Sequence, residues 1–298
     1  MADDSHKPFL GVHVSTAGGL VEGVRRAREL RLGALQLFTS SPRRWAPRAL
    51  APGEARAFRA ARRAAGIRAA FAHDSYLVRL GHRDPELLRR SLTTFVGELD
   101  RARALGLDGV VTHPAAFPGC PAAEALLRVA EALNAVAARL RGPGWPRILL
   151  ETGAGQGDGL AHRFEELAGL LSRLEPRERF GVCLDTCHVF VAGYDLRTPA
   201  AYRRTWAAFD AAIGRDRLHL VHANDSKREL GSRCDRHAHI GEGQLGREAF
   251  RLLLRDPTLA GVPKVVELPK VRDGVLMDPV NVGVLRSLAS RREASVAA

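Results

Sequence analysis

The 298-residue sequence lacks any run of eighteen apolar residues, so we expect no segment that crosses a membrane. Its first ten residues, MADDSHKPFL, also lack the basic stretch followed by an apolar stretch that is typical of a secretory signal. We therefore expect a protein that stays in the cytoplasm. The first strand–helix turn, VSTAGG, contains no dinucleotide-binding fingerprint, and we see no linker or low-complexity region.

Cysteine is scarce, with four residues in the chain. Cys183 and Cys187 lie four positions apart, but Cys120 and Cys234 do not form the second close pair that a four-thiolate zinc site needs. We expect all four to be reduced thiols without disulfides, as is usual in a cytosolic protein.

Basic residues are in excess. The formal net charge is +12, and all but four of the 45 basic residues are arginine. A positive protein associates with polyanions because neutralised phosphates release their counterions. The arginine bias could also reflect genome composition, so charge favours nucleic acid without establishing it.

Short apolar stretches alternate with longer amphipathic ones along the whole sequence. The predicted strands are 9–15, 34–39, 67–73, 109–113, 147–152, 180–186, 218–224 and 263–268. The predicted helices lie near 18–31, 53–65, 84–105, 121–140, 163–174, 198–213, 246–255 and 278–291. Gly33, Gly66 and Gly106 follow predicted helix ends, where we expect left-handed caps.

Eight strand–helix units in under 300 residues favour an α/β fold, a single (β/α)8 TIM barrel with its active site at the carboxyl ends of the strands. The alternative is an open, doubly wound sheet. We expect one domain over residues 1–298, with frayed ends at 1–7 and 292–298.

Acidic and histidine residues recur where the predicted strands end. They are His73, His113, Glu151, Asp185, His188, His222, Asp235, His237 and Glu267. The carboxyl ends of barrel strands meet at one mouth, so these side chains would converge. Such a cluster would repel itself without a cation, and mixed imidazole and carboxylate donors suit Zn²⁺, Mn²⁺ or Fe. Nine donors would serve two or three ions. His13 ends the first strand at the same mouth and could support a ligand or contact phosphate.

The chain resembles the endonuclease IV family of apurinic/apyrimidinic endonucleases. The matching motifs are GVHVSTAGG (11–19), FTSSPRRW (38–45), HDSYLVRLGH (73–82), ETGAGQG (151–157), GVCLDTCHVFVAGYDL (181–196), HANDSK (222–227), DRHAHIGEG (235–243) and VVELP (265–269). The resemblance implies a DNA-repair hydrolase with three zinc ions. Its substrate would be double-stranded DNA, cut 5′ to abasic sites to leave a 3′-hydroxyl and a 5′-deoxyribose phosphate, or trimmed at blocked 3′ ends. We further expect a monomer associated with the nucleoid through DNA.

The resemblance also implies roles for individual residues. One zinc would be held by His73, His113 and Glu151. A second would be held by Glu151, Asp185, His222 and Glu267, and a third by His188, Asp235 and His237. Glu151 would be the catalytic residue, bridging two ions and orienting the attacking water. Arg43, Trp45, Tyr76 and Leu77 would contact DNA, although aromatic side chains near a barrel mouth often only pack there.

The sequence departs from the family at Ala115, at Ser40-Ser41-Pro42 and at Leu268, and none of these changes removes a predicted ligand. Asp225 could touch DNA or brace its loop, and the turn at 241–243 is expected to shape the loop of Asp235 and His237. Two other functions remain open. A sugar isomerase or epimerase on a similar barrel would need fewer ions, and a damage-binding barrel would lack catalysis.

Overall fold

The computed structural model describes residues 8–45, 49–117, 119–157 and 160–290. Numbered in chain order, the strands are β1 (Leu10–Val12), β2 (Ala34–Leu37), β3 (Ala69–His73), β4 (Gly109–Thr112), β5 (Arg147–Glu151), β6 (Phe180–Asp185), β7 (Leu218–His222), β8 (Asp225–Ser226), β9 (His237–Ala238), β10 (Lys264–Val266), β11 (Val271–Arg272) and β12 (Val275–Leu276). All eight predicted strands are present, with ends shorter by up to three residues. The predicted frayed ends lie outside the described residues.

Eight parallel strands form the central sheet, in the order β1-β10-β7-β6-β5-β4-β3-β2. The two outer strands, β1 and β2, meet just beyond the end of β1. There His13 forms a parallel bridge with Gln36, and the Val14 N–H donates to the Gln36 carbonyl at 2.8 Å. This contact brings the sheet into a nearly closed barrel. The predicted barrel is confirmed, and the open sheet is excluded.

Nine helices of the described residues surround the strands. They are α1 (Leu20–Glu29), α2 (Glu54–Ala64), α3 (Pro85–Leu105), α4 (Ala122–Ala137), α5 (Phe164–Leu171), α6 (Thr186–Val191), α7 (Pro199–Ala212), α8 (Gly246–Arg255) and α9 (Met277–Ala289). Eight were predicted, and α6 was not. α3 is capped by Asp84, whose carboxylate accepts the N–H groups of Glu86 and Leu87. No helix within the described ranges is long and apolar enough to cross a membrane.

Two of the three predicted glycine caps are left-handed. Gly66 has φ of 68° and Gly106 of 67°. The expectation for Gly33 is wrong, because after α1 the left-handed residue is Arg31, with φ of 51°. Gly33 instead allows a close approach of Phe9, since a Cβ there would lie 3.1 Å from the Phe9 ring. The chain therefore turns two residues earlier than the sequence pattern indicated.

Candidate metal centre

Side chains along each barrel strand alternate between the interior and the surrounding helices. A small apolar cluster fills the interior, made of Ala34, Ala69, Phe71, Val111, Leu149, Cys183, Leu220 and Val265. On seven of the strands, a polar residue follows two positions after a member of this cluster and lies at the carboxyl end of the barrel. His13 lies at the corresponding position after β1. We call these eight the polar ring: His13, Gln36, His73, His113, Glu151, Asp185, His222 and Glu267. The period-two pattern of the strands thus delivers one polar side chain per strand to the mouth.

Glu151 lies at the centre of this arrangement, with 1% of its side chain exposed. Its Oε2 faces two imidazoles, 3.2 Å from His73 Nε2 and 3.3 Å from His113 Nε2. Its Oε1 faces another, 2.9 Å from His222 Nδ1. The two oxygens of one carboxylate therefore point into two different groups of donors, the geometry expected of a bridging ligand.

Asp185, His222 and Glu267 form the second group with Glu151, and one donor atom from each lies within 4.8 Å of the others. His222 Nδ1 is 2.9 Å from Glu267 Oε2 and 4.0 Å from Asp185 Oδ2. Asn224 links the Asp185 carboxylate to the backbone of Glu267: its Nδ2 donates to Asp185 Oδ2 at 2.6 Å, and its Oδ1 accepts the Glu267 backbone N–H at 2.8 Å. The Asp185 side chain and the Glu267 backbone are thereby held together beside His222.

The third group surrounds Asp235. His188 Nε2 lies 3.2 Å from one carboxylate oxygen of Asp235, and His237 Nε2 lies 3.2 Å from the other. Donor atoms of His188 and His237 also lie within 4.8 Å of Asp185. Cys187, expected to be inert, places its Sγ 4.0 Å from Asp235 Oδ1. Despite its short distance to Asp235, the buried His237 Nε2 atom makes no well-directed hydrogen bond to any described residue, as befits a nitrogen that serves a cation.

Three histidines of these groups contact the protein backbone through Nδ1. In each, Nδ1 lies near a backbone carbonyl oxygen, which can only accept, so Nδ1 carries the proton. The contacts run from His73 to Asp74 (3.1 Å), from His188 to Thr152 (2.9 Å) and from His237 to Glu267 (3.1 Å). In the neutral form of each ring, Nε2 is then bare toward the donor groups, the tautomer that a metal requires.

Neighbouring charges fix the ionisation of the buried acids. Burial alone raises the pKa of Glu151, but the imidazoles of His113, His222 and His73 lower it well below its ordinary value. Burial would also raise the pKa of Glu267, but the neighbouring His222 and His13 outweigh it and lower this pKa well below its ordinary value. Both acids are therefore carboxylates at neutral pH. Burial raises the pKa of the Cys183 thiol to about 12, so that cysteine stays protonated in the interior.

A loop organised by Asp225 positions the third group. β8 and β9 pair antiparallel; the loop between them carries Asp235, and β9 carries His237. The buried Asp225 carboxylate accepts backbone N–H groups from Ser226 (2.7 Å), Gly241 (2.9 Å), Gly243 (3.0 Å) and Leu245 (3.0 Å). Asp225 thus braces its loop, and the turn at 241–243 wraps around this carboxylate.

The four residues predicted to contact DNA lie in two linked loops beside the mouth. Ser75 Oγ donates to the Pro42 carbonyl at 2.8 Å, which joins the loop after β3 to the loop after β2. Tyr76 is 64% exposed, and its ring meets that of Phe38 edge-on at 5.5 Å. Arg43 is exposed and Leu77 is half-buried.

Trp45 is more enclosed. Its carbonyl accepts from Thr94 Oγ1 at 2.6 Å, and the Arg90 guanidinium covers its ring at 4.6 Å, so Trp45 packs against α3. The buried Glu98, also on α3, accepts from Thr39 Oγ1 and from Ser40 Oγ. The loop after β2 is therefore anchored to α3 by its backbone and hydroxyls, and Arg43 takes no part in those anchors.

Gln36 and Asn224 are among the polar residues that contact the predicted ligands and that sequence reasoning missed. Gln36 and Asn224 are both fully buried. The signal for Gln36 was present in the sequence, because a single amide interrupts the apolar stretch ALQLF. Asn224 lies beyond the end of β7, where a polar residue is ordinary, and nothing in its spacing distinguished it.

Comparisons with known proteins show to which sequences and folds this chain is similar. The family model described as "Xylose isomerase-like TIM barrel" matches residues 24–290. A curated relative from Chloroflexus aurantiacus, named "Probable endonuclease 4", is 43% identical over 96% of this chain and 100% of its own length. The crystal structure of endonuclease IV from Thermus thermophilus is 38% identical, covers 94% of this chain and 98% of its own, and superposes with a TM-score of 0.81. A 3-keto-D-glucoside 4-epimerase from E. coli has a TM-score of 0.67 at 16% identity, over 94% of this chain and 100% of its own, which shows the shared fold alone.

Proposed function

We propose a function on the premise that this chain belongs to the endonuclease IV family, as its full-length relatives show. It hydrolyses the phosphodiester 5′ to abasic sites in double-stranded DNA, leaving a 3′-hydroxyl and a 5′-deoxyribose phosphate. It also trims blocked 3′ ends. The observation that carries this proposal is the gathering of nine imidazole and carboxylate side chains into three adjoining groups at one mouth of the barrel.

Zinc fits these groups. The donors are imidazoles and ionised carboxylates, and the buried His237 Nε2 makes no well-directed hydrogen bond within the part of the chain that the structure describes. Three protein donors per ion is the usual number at a catalytic zinc. The holders would be His73, His113 and Glu151 for one ion, Glu151, Asp185, His222 and Glu267 for a second, and His188, Asp235 and His237 for a third. Bound zinc supplies positive charge that activates water and stabilises charge developing on a phosphate.

The protein's own groups have distinct tasks in this reaction. Glu151 orients the attacking water, since its two oxygens face two donor groups across the centre of the mouth. Asp235 is 41% exposed on its side chain and His113 is 44% exposed, so these two line the side from which a phosphate enters. The buried Asp185 forms the floor. No side chain is needed as a nucleophile.

The loops after β2 and β3 would grip the DNA. Tyr76 and Leu77 would occupy the space left when the abasic sugar is turned out of the helix, because an apolar wedge offsets lost stacking. Arg43 would contact the phosphates of the DNA backbone. Trp45 would pack the loop against α3 and contact the DNA groove with the part of its ring that stays exposed.

The decisive experiment offers the purified protein an end-labelled duplex with one stable abasic analogue. We expect a single cut on the 5′ side of the analogue and a product that a polymerase extends, which shows a 3′-hydroxyl. An intact duplex of the same sequence should stay uncut. Absence of cutting together with turnover of free ketose sugars would instead establish the isomerase or epimerase function. Binding to the abasic duplex without cutting would establish a damage-binding protein.

Metal content provides a separate prediction. Elemental analysis of the purified protein should find close to three zinc ions per chain, at about three protein donors each. Each zinc ion dissociates slowly because several protein ligands must release it. Activity should therefore survive brief EDTA treatment and fall on long exposure to 1,10-phenanthroline. Zero or one zinc per chain, or complete loss of activity on first contact with EDTA, would contradict the assignment.

Replacing Tyr76 by Ala should weaken cleavage of the abasic duplex without changing stability, since the side chain is 64% exposed. Loss of a stacking side chain is worth about 1–3 kcal/mol, or roughly 5- to 150-fold in activity. The matched control is Leu127→Ala on α4, which also truncates a side chain that is 51% exposed. Equal cleavage by both variants would remove Tyr76 from the DNA interface.

A further inference from the structure

Gln36 is the one member of the polar ring with no predicted role, and it contacts three other members. Its side chain is fully buried within β2. Its Oε1 lies 2.9 Å from His222 Nε2, and its Nε2 lies 3.0 Å from His13 Nδ1. The same Nε2 donates to Glu267 Oε1.

These contacts determine which way the amide points. An ionised Glu267 can only accept hydrogen bonds, so the amide nitrogen of Gln36 must face it. The amide oxygen then faces His222 Nε2, and an oxygen that only accepts requires a proton on that nitrogen. In neutral His222 the Nδ1 atom is consequently bare, and Nδ1 is the atom that lies 2.9 Å from Glu151 and from Glu267.

His222 differs from His73, His188 and His237 in the partner of the ring nitrogen that faces away from the metal groups. His73, His188 and His237 each present Nε2 to the donor groups and direct Nδ1 to a carbonyl oxygen that no substitution of a side chain removes. His222 presents Nδ1 to the donor groups instead, and its Nε2 contacts the side chain of Gln36. Substituting Gln36 can therefore remove the contact that fixes the orientation of the His222 imidazole.

We propose that Gln36 is a positioning residue for the second metal group: it holds His222 with Nδ1 bare toward the carboxylates and holds Glu267 in place beside it. The inference rests on the proposed function in taking this group to bind a metal ion. Partners that orient a metal ligand typically contribute 10- to 100-fold to metal affinity, and Gln36 orients two ligands at once.

The test compares zinc-loaded wild-type protein with Gln36→Leu and with Gln36→Met, an apolar residue of similar length. Gln244→Leu is the control, because it makes the same chemical change on an exposed side chain. Competition with a chromophoric chelator measures the affinity of each zinc, and nitrogen-15 spectra of labelled histidine report which nitrogen of His222 carries the proton. Far-UV circular dichroism and thermal unfolding monitor the fold.

We expect both Gln36 variants to bind one zinc per chain about 10- to 100-fold more weakly while remaining folded. The signal of the His222 Nε2 proton should shift or disappear, and Gln244→Leu should match the wild type in every measurement. Unchanged affinity, an unchanged His222 signal, or metal loss only together with unfolding would overturn the proposal. If the zinc result holds but no variant or wild type cuts abasic DNA, the positioning role stands and the proposed function fails.

Discussion

Replacing Glu151 by Gln should reduce the rate of abasic-site cleavage by about 10²–10⁴-fold, the range found when a group that positions or moves a catalytic proton is lost. Glu151 uses both oxygens, one toward His73 and His113 and the other toward His222. An amide offers one oxygen, and its NH2 group would face ring nitrogens or a cation on the other side. The variant cannot bridge the two donor groups in either orientation.

Single-turnover cleavage of the abasic duplex measures this effect without interference from product release. Zinc content of the same preparation shows whether the Glu151→Gln substitution lowers the rate with the ions retained or by losing one of them. Glu131→Gln is the matched control, since Glu131 is exposed on α4 and faces away from the mouth. A Glu151→Gln protein that cuts as fast as this control would exclude the role given to Glu151.

The barrel itself could be predicted from the sequence because its strands are buried on both faces. Such strands are near-continuous apolar stretches, and amphipathic helices separate them at regular intervals. β5 shows the pattern, with Ile148 and Leu150 packed against helices and Leu149 in the interior. Each stretch ended within three residues of the predicted bounds, because Gly, Pro and polar residues interrupt it there.

The convergence of the ring residues followed from the same regularity. His73 and Glu267 are separated by most of the chain, yet each stands at or just beyond the end of a parallel strand, and parallel strands end on one side of a barrel. Their individual partners did not follow. Which oxygen of Glu151 faces which imidazole depends on side-chain rotamers, and these are set by packing that spacing does not report.

The elements beside the metal groups that the sequence did not predict are short and held by tertiary contacts. α6 has six residues, all buried, so no polar face marks it as a helix and its apolar residues continue those of β6. β8 and β9 have two residues each and depend on the Asp225 carboxylate for their loop. The left-handed residue after α1 is Arg31, whereas Gly33 lies against the ring of Phe9, and nothing in the residue types distinguished these two positions.

Replacing Gly243 by Ala should disrupt the third metal group although the residue is no ligand. A Cβ at Gly243 would lie 2.5 Å from Asp225 Oδ1 and closer still to the Ser226 carbonyl oxygen, a distance that real structures do not show. The backbone of β8 must then move, and β8 pairs with the strand that carries His237. Overpacking of this kind costs about 1–3 kcal/mol in the free energy of unfolding.

The measurements are zinc content, thermal unfolding and cleavage rate, with Gly283→Ala as the control. A Cβ at Gly283 would meet nothing within 4 Å, and alanine is favoured over glycine inside a helix by about 0.5–1 kcal/mol, so that variant should be at least as stable as the wild type. Gly243→Ala should lose about one zinc of three, because Asp235 and His237 supply two of the three donors predicted for that ion. If it instead kept all its zinc with normal activity, the 241–243 turn would be a passive cover and the hairpin would hold its ligands without the Asp225 brace.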